Sequence, residues 1–229
     1  MTDASISERI ARLRDRVAAA AERAGRSASD ITIVAVTKTV ELQRIEETYR
    51  EGICDFGENY VQEALSKLTS LSLELKNAHW HFIGHLQTNK VRDIVRLCSV
   101  IESVDSVRVA QEIARRSLAA ANVTDILLEV KLDPADAKFG FEPDQVADAV
   151  DKIQDLAGIR VAGLMGMAPF SDRAEQSRSS FAALYNLYKE LPAASQQMLS
   201  MGMSGDFEIG IEEGATHIRI GTAIFGLRR

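Results

Sequence analysis

Residues 31–39 read ITIVAVTKT. β-Branched and small apolar residues fill the first six positions, and Lys38 stands near the end. A run that is apolar on both faces suits a parallel strand covered on both sides. At its C-terminal end, the four-carbon stem of Lys38 would cross apolar surroundings. Loss of water disfavours a charged amine and lowers its pKa, and a neutral amine is what a Schiff base with an aldehyde requires. Taken alone, the stretch favours a plainer reading, a lysine that reaches solvent where the strand stops.

On either side of this strand the pattern alternates. Residues 5–24 carry Ile6, Ile10, Leu13, Val17 and Ala21 at helical spacing, with charges on the other face. After Lys38, helices are expected over 41–50, 58–76, 86–97, 106–121, 143–156, 172–191 and 204–213. Strands fall between them at 54–57, 80–84, 100–104, 125–131, 159–165, 197–201 and 217–220. Eight strand–helix repeats imply a parallel sheet, and eight strands close a (β/α)8 TIM barrel, at a length near the usual ~250 residues. The expected fold is therefore α/β, a single TIM-barrel domain over 1–229 with an extra N-terminal helix. An open doubly wound sheet is the competing topology, but no G-x-G-x-x-G follows the first strand.

With 46% hydrophobic and 26% charged residues, the chain is ordinary for a globular protein. A net charge of −6, from 27 basic and 33 acidic residues, argues against a nucleic-acid partner. Cys54 and Cys98 are too few for a disulfide framework and read as reduced core or near-core thiols in a cytoplasmic protein. No segment has the ~18 apolar residues of a membrane span, and the charged N-terminus lacks a signal peptide's apolar region.

In a barrel the strand C-termini meet at one face, and that face holds the site. Loops after strands seven and eight commonly bind phosphate there. Ser204-Gly205 is expected to open a helix and present free N–H groups to an anion, and Gly221-Thr222 follows strand eight. Either feature alone reads as an ordinary cap or turn; together they suggest a phosphate cradle. Arg219, between Ile218 and Ile220, must be paired or face a polar ligand, and an ion pair with a glutamate is the structural alternative. Asn59 reads as a helix cap or first-turn residue, or as a ligand contact. His79 and His81 share a strand face without a suitable third ligand, so no metal site is expected. His85 borders the mouth as a neutral loop histidine.

Five blocks, AVTK (35–38), FGENYVQE (56–63), WHFIGHLQTNK (80–90), GLMGM (163–167) and SMGMSGDFEIGIEEGATHIRIGTAIFG (200–226), resemble the pyridoxal-phosphate homeostasis protein family, whose members are similar to the barrel domain of alanine racemase. Lys138-Phe139-Gly140 also fits that family's Lys-x-Gly pattern. The resemblance implies pyridoxal 5′-phosphate as cofactor, joined to Lys38 as a Schiff base. It implies phosphate contacts from Ser204, Gly205, Gly221 and Thr222, with Arg219 at the pyridine nitrogen and Asn59 near the ring. The function so implied is cofactor binding in vitamin B6 and amino-acid homeostasis, with no catalytic residue assigned and apo-enzymes as recipients. A monomer is expected, because the chain ends soon after the last strand, without the racemase's added β domain. The alternatives are an amino-acid racemase, with His85, Lys138 or Tyr60 as proton donor, and an aldolase using Lys38 without the cofactor.

Overall fold

The computed structural model describes residues 4–133 and 139–226. Eight parallel strands close into a barrel in sequence order: β1 (Thr32–Val36), β2 (Asp55–Glu58), β3 (His79–Phe82), β4 (Val100–Val104), β5 (Thr124–Lys131), β6 (Ile159–Met167), β7 (Met198–Met203) and β8 (His217–Ile220). β1 lies beside β8 with Thr32 opposite His217 and Val34 opposite Arg219, and this pairing seals the sheet. The fold is the (β/α)8 barrel that the strand count implied.

The helices are α1 (Ile6–Arg23), α2 (Leu42–Arg50), α3 (Val61–Leu68), α4 (Val91–Ile94), α5 (Val107–Ala119), α6 (Val146–Ile153), α7 (Arg178–Glu190), α8 (Phe207–Glu212) and α9 (Thr222–Phe225). α1 begins in a capping box, in which the Ser5 hydroxyl accepts from Glu8 N–H and the Glu8 carboxylate accepts from Ser5 N–H. Its buried stripe is Ile6, Ile10, Leu13, Val17, Ala20 and Ala21. The helix that follows β8 is a single turn, so the outer ring of helices would have a gap there, and α1 fills it. On one side Arg16 forks onto Glu208 of α8, and Arg26 reaches the Ile211 and Ala215 carbonyls. On the other side Arg14 donates to the Glu51 carbonyl at the end of α2.

Several expected helices are shorter than their patterns, two of them because the helix is broken. The helix read over 58–76 is α3 followed by a 3-10 segment, Leu73–Asn77. Here the Thr69 and Ser70 hydroxyls donate back to the Leu65 and Ser66 carbonyls, at 2.6 and 2.7 Å. Such bonds compete with the helical ladder. Glu58, expected in that helix, ends β2 instead. The helix read over 86–97 is a 3-10 turn, Thr88–Lys90, followed by α4. Ser106 caps α5 as expected, accepting from Val109 N–H at 3.4 Å. Cys98 is buried, whereas Cys54 is exposed; it lies ahead of β2, among residues lining a groove at the N-terminal end of the sheet.

Packing separates two interiors. Between sheet and helices lies the main core, including Phe56, Phe82, Phe181 and Phe207. Inside the barrel, Leu127, Ala162 and Met165 form a small apolar cluster of their own. Polar residues occupy much of the rest of that inner space, because Arg219, Ser200, Glu102 and His81 point inward and bond to one another.

Ile10 is fully buried in the α1 stripe. Ile10→Ala is expected to cost about 2–5 kcal/mol in urea unfolding. A loss near zero would mean that α1 is not packed into the helical ring.

Candidate functional site at the barrel mouth

Alternation along β1 turns Val34 toward the barrel axis beside Arg219, and Val36 and Lys38 follow at two-residue steps. The chain beyond β7 and β8 comes to the same end of the barrel. The result is a cavity of about 280 Å³ lined by Val36, Lys38, Met203, Ser204, Gly205, Asp206, Arg219, Gly221 and Thr222, with residues 168–171 from the loop after β6 on its rim. Six of the seven site residues read from the sequence therefore meet in one place. Asn59 does not line this cavity.

Ser204 does not open α8, which begins at Phe207. Its hydroxyl instead accepts from the N–H groups of Gly221 and Ala223, at 3.3 and 3.4 Å. The loops after β7 and β8 are thus tied together by a bridge that the sequence reading did not foresee. The opening N–H groups of a helix lack intrahelical acceptors, which is why the start of α9 attracts that hydroxyl. A Cβ added at Gly205 would meet nothing within 4 Å, so this wall of the cavity is open. Asp206 also lines the cavity, and its carboxylate is engaged by Met203 N–H at 2.6 Å and the Ser177 hydroxyl at 3.1 Å. The donor set suits an aldehyde that carries an anion: an amine, two hydroxyls and a guanidinium surround one small volume.

Arg219 is buried, only 4% exposed, and is partnered on its inner side. Its Nη1 donates to Ser200 Oγ at 2.7 Å and its Nη2 to the Gly166 carbonyl at 3.0 Å. Ser200 Oγ in turn donates to Glu102 Oε2 at 2.5 Å. Glu102 Oε1 accepts from His81 Nδ1 at 2.7 Å, and His81 Nε2 reaches Asp55 Oδ1 at 3.3 Å. Arg219 thus has the glutamate neighbour of the structural alternative, Glu102 at 3.8 Å, and it also lines the cavity. Burial pulls the guanidinium down from its usual value, and Glu102, Glu129 and Asp206 oppose that. Burial also disfavours charge on His81, but its bonds to Asp55 and Glu102 prevail and raise it to about 9. Burial would raise Glu102, yet the His81 bond and charge, with help from Arg219 and Ser200, bring it down to about 2. His81 and Glu102 therefore form a buried ion pair at neutral pH.

His79 and His81 both turn to Asp55. Among the described residues no group of three His, Cys, Asp or Glu has metal-holding geometry. Asn59 immediately follows β2 and does not cap α3, whose cap position is Tyr60; its Oδ1 is buried without a hydrogen-bond partner. The Asn59 carbonyl presses on Gly84, where an added Cβ would lie 2.0 Å from it. His85 pairs with Asp105 at 3.2 Å and stacks on Phe139, ring centroids 3.6 Å apart. Lys138 lies outside the described residues. Sequence reading missed Glu102, Ser200 and the 168–171 loop. A glutamate inside the fully buried strand VIESV was the available signal for the first.

The alanine racemase N-terminal domain family matches residues 9–229. A pyridoxal phosphate homeostasis protein from Aquifex aeolicus is 40% identical over 226 residues, covering 97% of this chain and 98% of that protein. The chain belongs to the pyridoxal phosphate homeostasis proteins. A second family member, from Escherichia coli K12, is 35% identical over 97% of both chains. PipY of Synechococcus elongatus, solved with PLP bound, superposes with a TM-score of 0.85 at 33% identity, covering 97% of this chain and 100% of its own. An alanine racemase from Clostridium difficile, at 12% identity and a TM-score of 0.68, covers 87% of this chain and 56% of its own, and shares the fold.

Stability should report the buried chain of charges. His81 binds its proton more tightly in the folded protein, so its contribution is complete below its unfolded value of 6.5 and is lost as pH rises through about 9. Glu102 behaves in the opposite sense, contributing fully above 4.5 and losing its contribution as pH falls through about 2. Burial first, and then the positive charge of His81, hold His217 neutral down to about 4, against the pull of Glu102 and Asp55. Its contribution is present above 6.5 and is lost between 6.5 and about 4. Urea midpoints are therefore expected to fall between pH 7 and pH 10, about the His81 value. The fall should vanish in His81→Gln. An equal alkaline fall in that variant would remove His81 as its cause.

Proposed function

We propose that this protein binds pyridoxal 5′-phosphate as a Schiff base on Lys38 and takes part in vitamin B6 and amino-acid homeostasis, without robust catalytic activity of its own. The observation that carries the reading is the shared cavity, where an amine, the Ser204 and Thr222 hydroxyls and the Arg219 guanidinium surround one small volume. Lys38 would hold the aldehyde end: its amine can condense with the aldehyde carbon to a C=N bond, both amine hydrogens leaving with the carbonyl oxygen as water. Ser204, Gly205, Gly221 and Thr222 would hold the phosphate end and Arg219 would face the pyridine nitrogen; Asn59, expected near the ring, does not line the cavity. When bound, the cofactor supplies an electrophilic carbon conjugated to an electron-withdrawing ring. Arg219 only donates hydrogen bonds, so it favours an unprotonated ring nitrogen and leaves the ring a weaker electron sink. That suits holding and handing over the cofactor, to apo-enzymes in the cytoplasm, better than driving many turnovers.

Family membership agrees with this reading, since curated relatives are named for pyridoxal phosphate homeostasis and PipY was solved with PLP bound. The racemase reading needs a second proton carrier at the cavity. Glu129, on β5 opposite Met165, is raised to about 7 by burial and by Asp105, against the pull of Arg219, but it does not line the cavity. His85 and Tyr60 do not line the cavity.

The purified protein is expected to absorb in the visible when loaded, and borohydride should fix the cofactor mass on the Lys38 peptide. Lys38→Ala should lose the colour while keeping its circular dichroism, and Arg219→Glu should shift the band by favouring a protonated ring nitrogen. A Lys38→Ala protein that turns equally yellow would assign the cofactor to another lysine. Sustained exchange of the α-proton of L- or D-amino acids with deuterated solvent, at enzyme-like rates, would replace the binding reading with the racemase.

A further inference from the structure

The strand end that carries Lys38 is held from outside the barrel. β1 stops at Val36, and α3 reaches over the residues that follow. Lys67 Nζ, on α3, donates to the Thr37 carbonyl at 2.5 Å. The same ammonium lies 3.0 Å from Glu58 Oε1 and 2.6 Å from Glu63 Oε1. The Thr37 hydroxyl donates to Glu58 Oε1 at 2.6 Å, and Thr39 N–H donates to Glu63 Oε1. The carbonyl of the peptide before Lys38 and the N–H of the peptide after it are therefore both gripped by one ion pair, Lys67 with Glu63.

Three features set this arrangement apart from a surface salt bridge. The Glu58 side chain is fully buried and that of Lys67 is 11% exposed, so solvent screens them little. Thr39 stands at φ +60°, a left-handed conformation that side chains other than glycine adopt only where the surroundings fix it. Buried ion pairs add little net stability over apolar packing, so stability alone is a weak reason for placing three charges here. What a triad with fixed geometry does provide is a fixed backbone. Glu58 and Glu63 are the two glutamates of the FGENYVQE block, and the binding cavity gives neither of them a role.

We infer that Lys67, Glu58 and Glu63 are positioning residues: they lock both peptide groups of Lys38 and so aim its amine at a bound aldehyde. The inference rests on the functional reading above. The step it assists is the condensation already written, in which the C=N bond forms and the carbonyl oxygen leaves as water. None of the three touches the cavity; they act through the backbone of Lys38.

Two ligands separate positioning from folding. Pyridoxal 5′-phosphate carries the aldehyde, whereas 4′-deoxypyridoxine 5′-phosphate presents the same ring and phosphate without it. Lys67→Met and Glu63→Ala are compared with the native chain by stopped-flow absorbance for Schiff-base formation and by calorimetry for the deoxy ligand. Glu63 is only partly buried on α3, so its variant keeps the test open if Lys67→Met fails to fold. The expected result is near-native affinity for the deoxy ligand with Schiff-base formation slowed on the order of 10-fold or more, as misaimed reacting groups require. An unchanged rate in Glu63→Ala would overturn the inference. So would an equal loss of both ligands, which marks a merely structural role. A native chain that binds the deoxy ligand but never forms the Schiff base would overturn the functional reading itself, before any variant is compared.

Discussion

A guanidinium inside a closed barrel must have its charge answered there, and much of this molecule's inner architecture follows from that requirement. Transfer of an unpaired charge out of water costs far more than any single contact returns. Arg219 meets the condition through Ser200, whose hydroxyl accepts a hydrogen bond from the arginine and donates one to Glu102. Glu102 is answered by His81, and His81 by Asp55. The signs alternate along this line, so each member is stabilised by the next, and removing one would strand its neighbours. The barrel is consequently filled across part of its width by polar residues instead of the usual layers of branched apolar side chains.

This internal chain and the cavity at the mouth meet at Arg219. Its inner edge is committed to Ser200 and the Gly166 carbonyl, while the residue also lines the cavity. The site is thus built on strands and not only on loops, which gives rigidity to the side chains that line it. On the outer side of the sheet a second buried network grips the peptides that flank Lys38. Two ionic networks, one inside the barrel and one outside, converge on Arg219 and on the backbone beside Lys38 at the mouth.

Most of the fold was legible in residue patterning. Apolar runs such as ITIVAV and VAGLMGM alternate with amphipathic stretches eight times, and parallel strands joined by helices have few ways to close. Lys38, the Ser204 loop and the Gly221 loop could be singled out because strand C-termini share one face. The element ends misread, at 58–76 and 86–97, are places where hydroxyl side chains or single turns replaced helical bonding. Of the roles read for Asn59, cap, first-turn residue or ligand contact, the cap falls to Tyr60, and the Asn59 Oδ1 is buried without a hydrogen-bond partner.

The order of strands and helices, the stripe on α1 and the presence of a lysine and two glycine loops at strand ends were determined by the sequence itself, since period and turn chemistry are local properties. Which charges answer one another was decided only by the tertiary structure. Glu102 and Ser200 are separated by nearly a hundred positions yet share a hydrogen bond, and Lys67 reaches back thirty residues to the Thr37 carbonyl. Such pairings depend on strand register around a closed sheet, because register sets which inward side chains lie at the same height. No local pattern records that height.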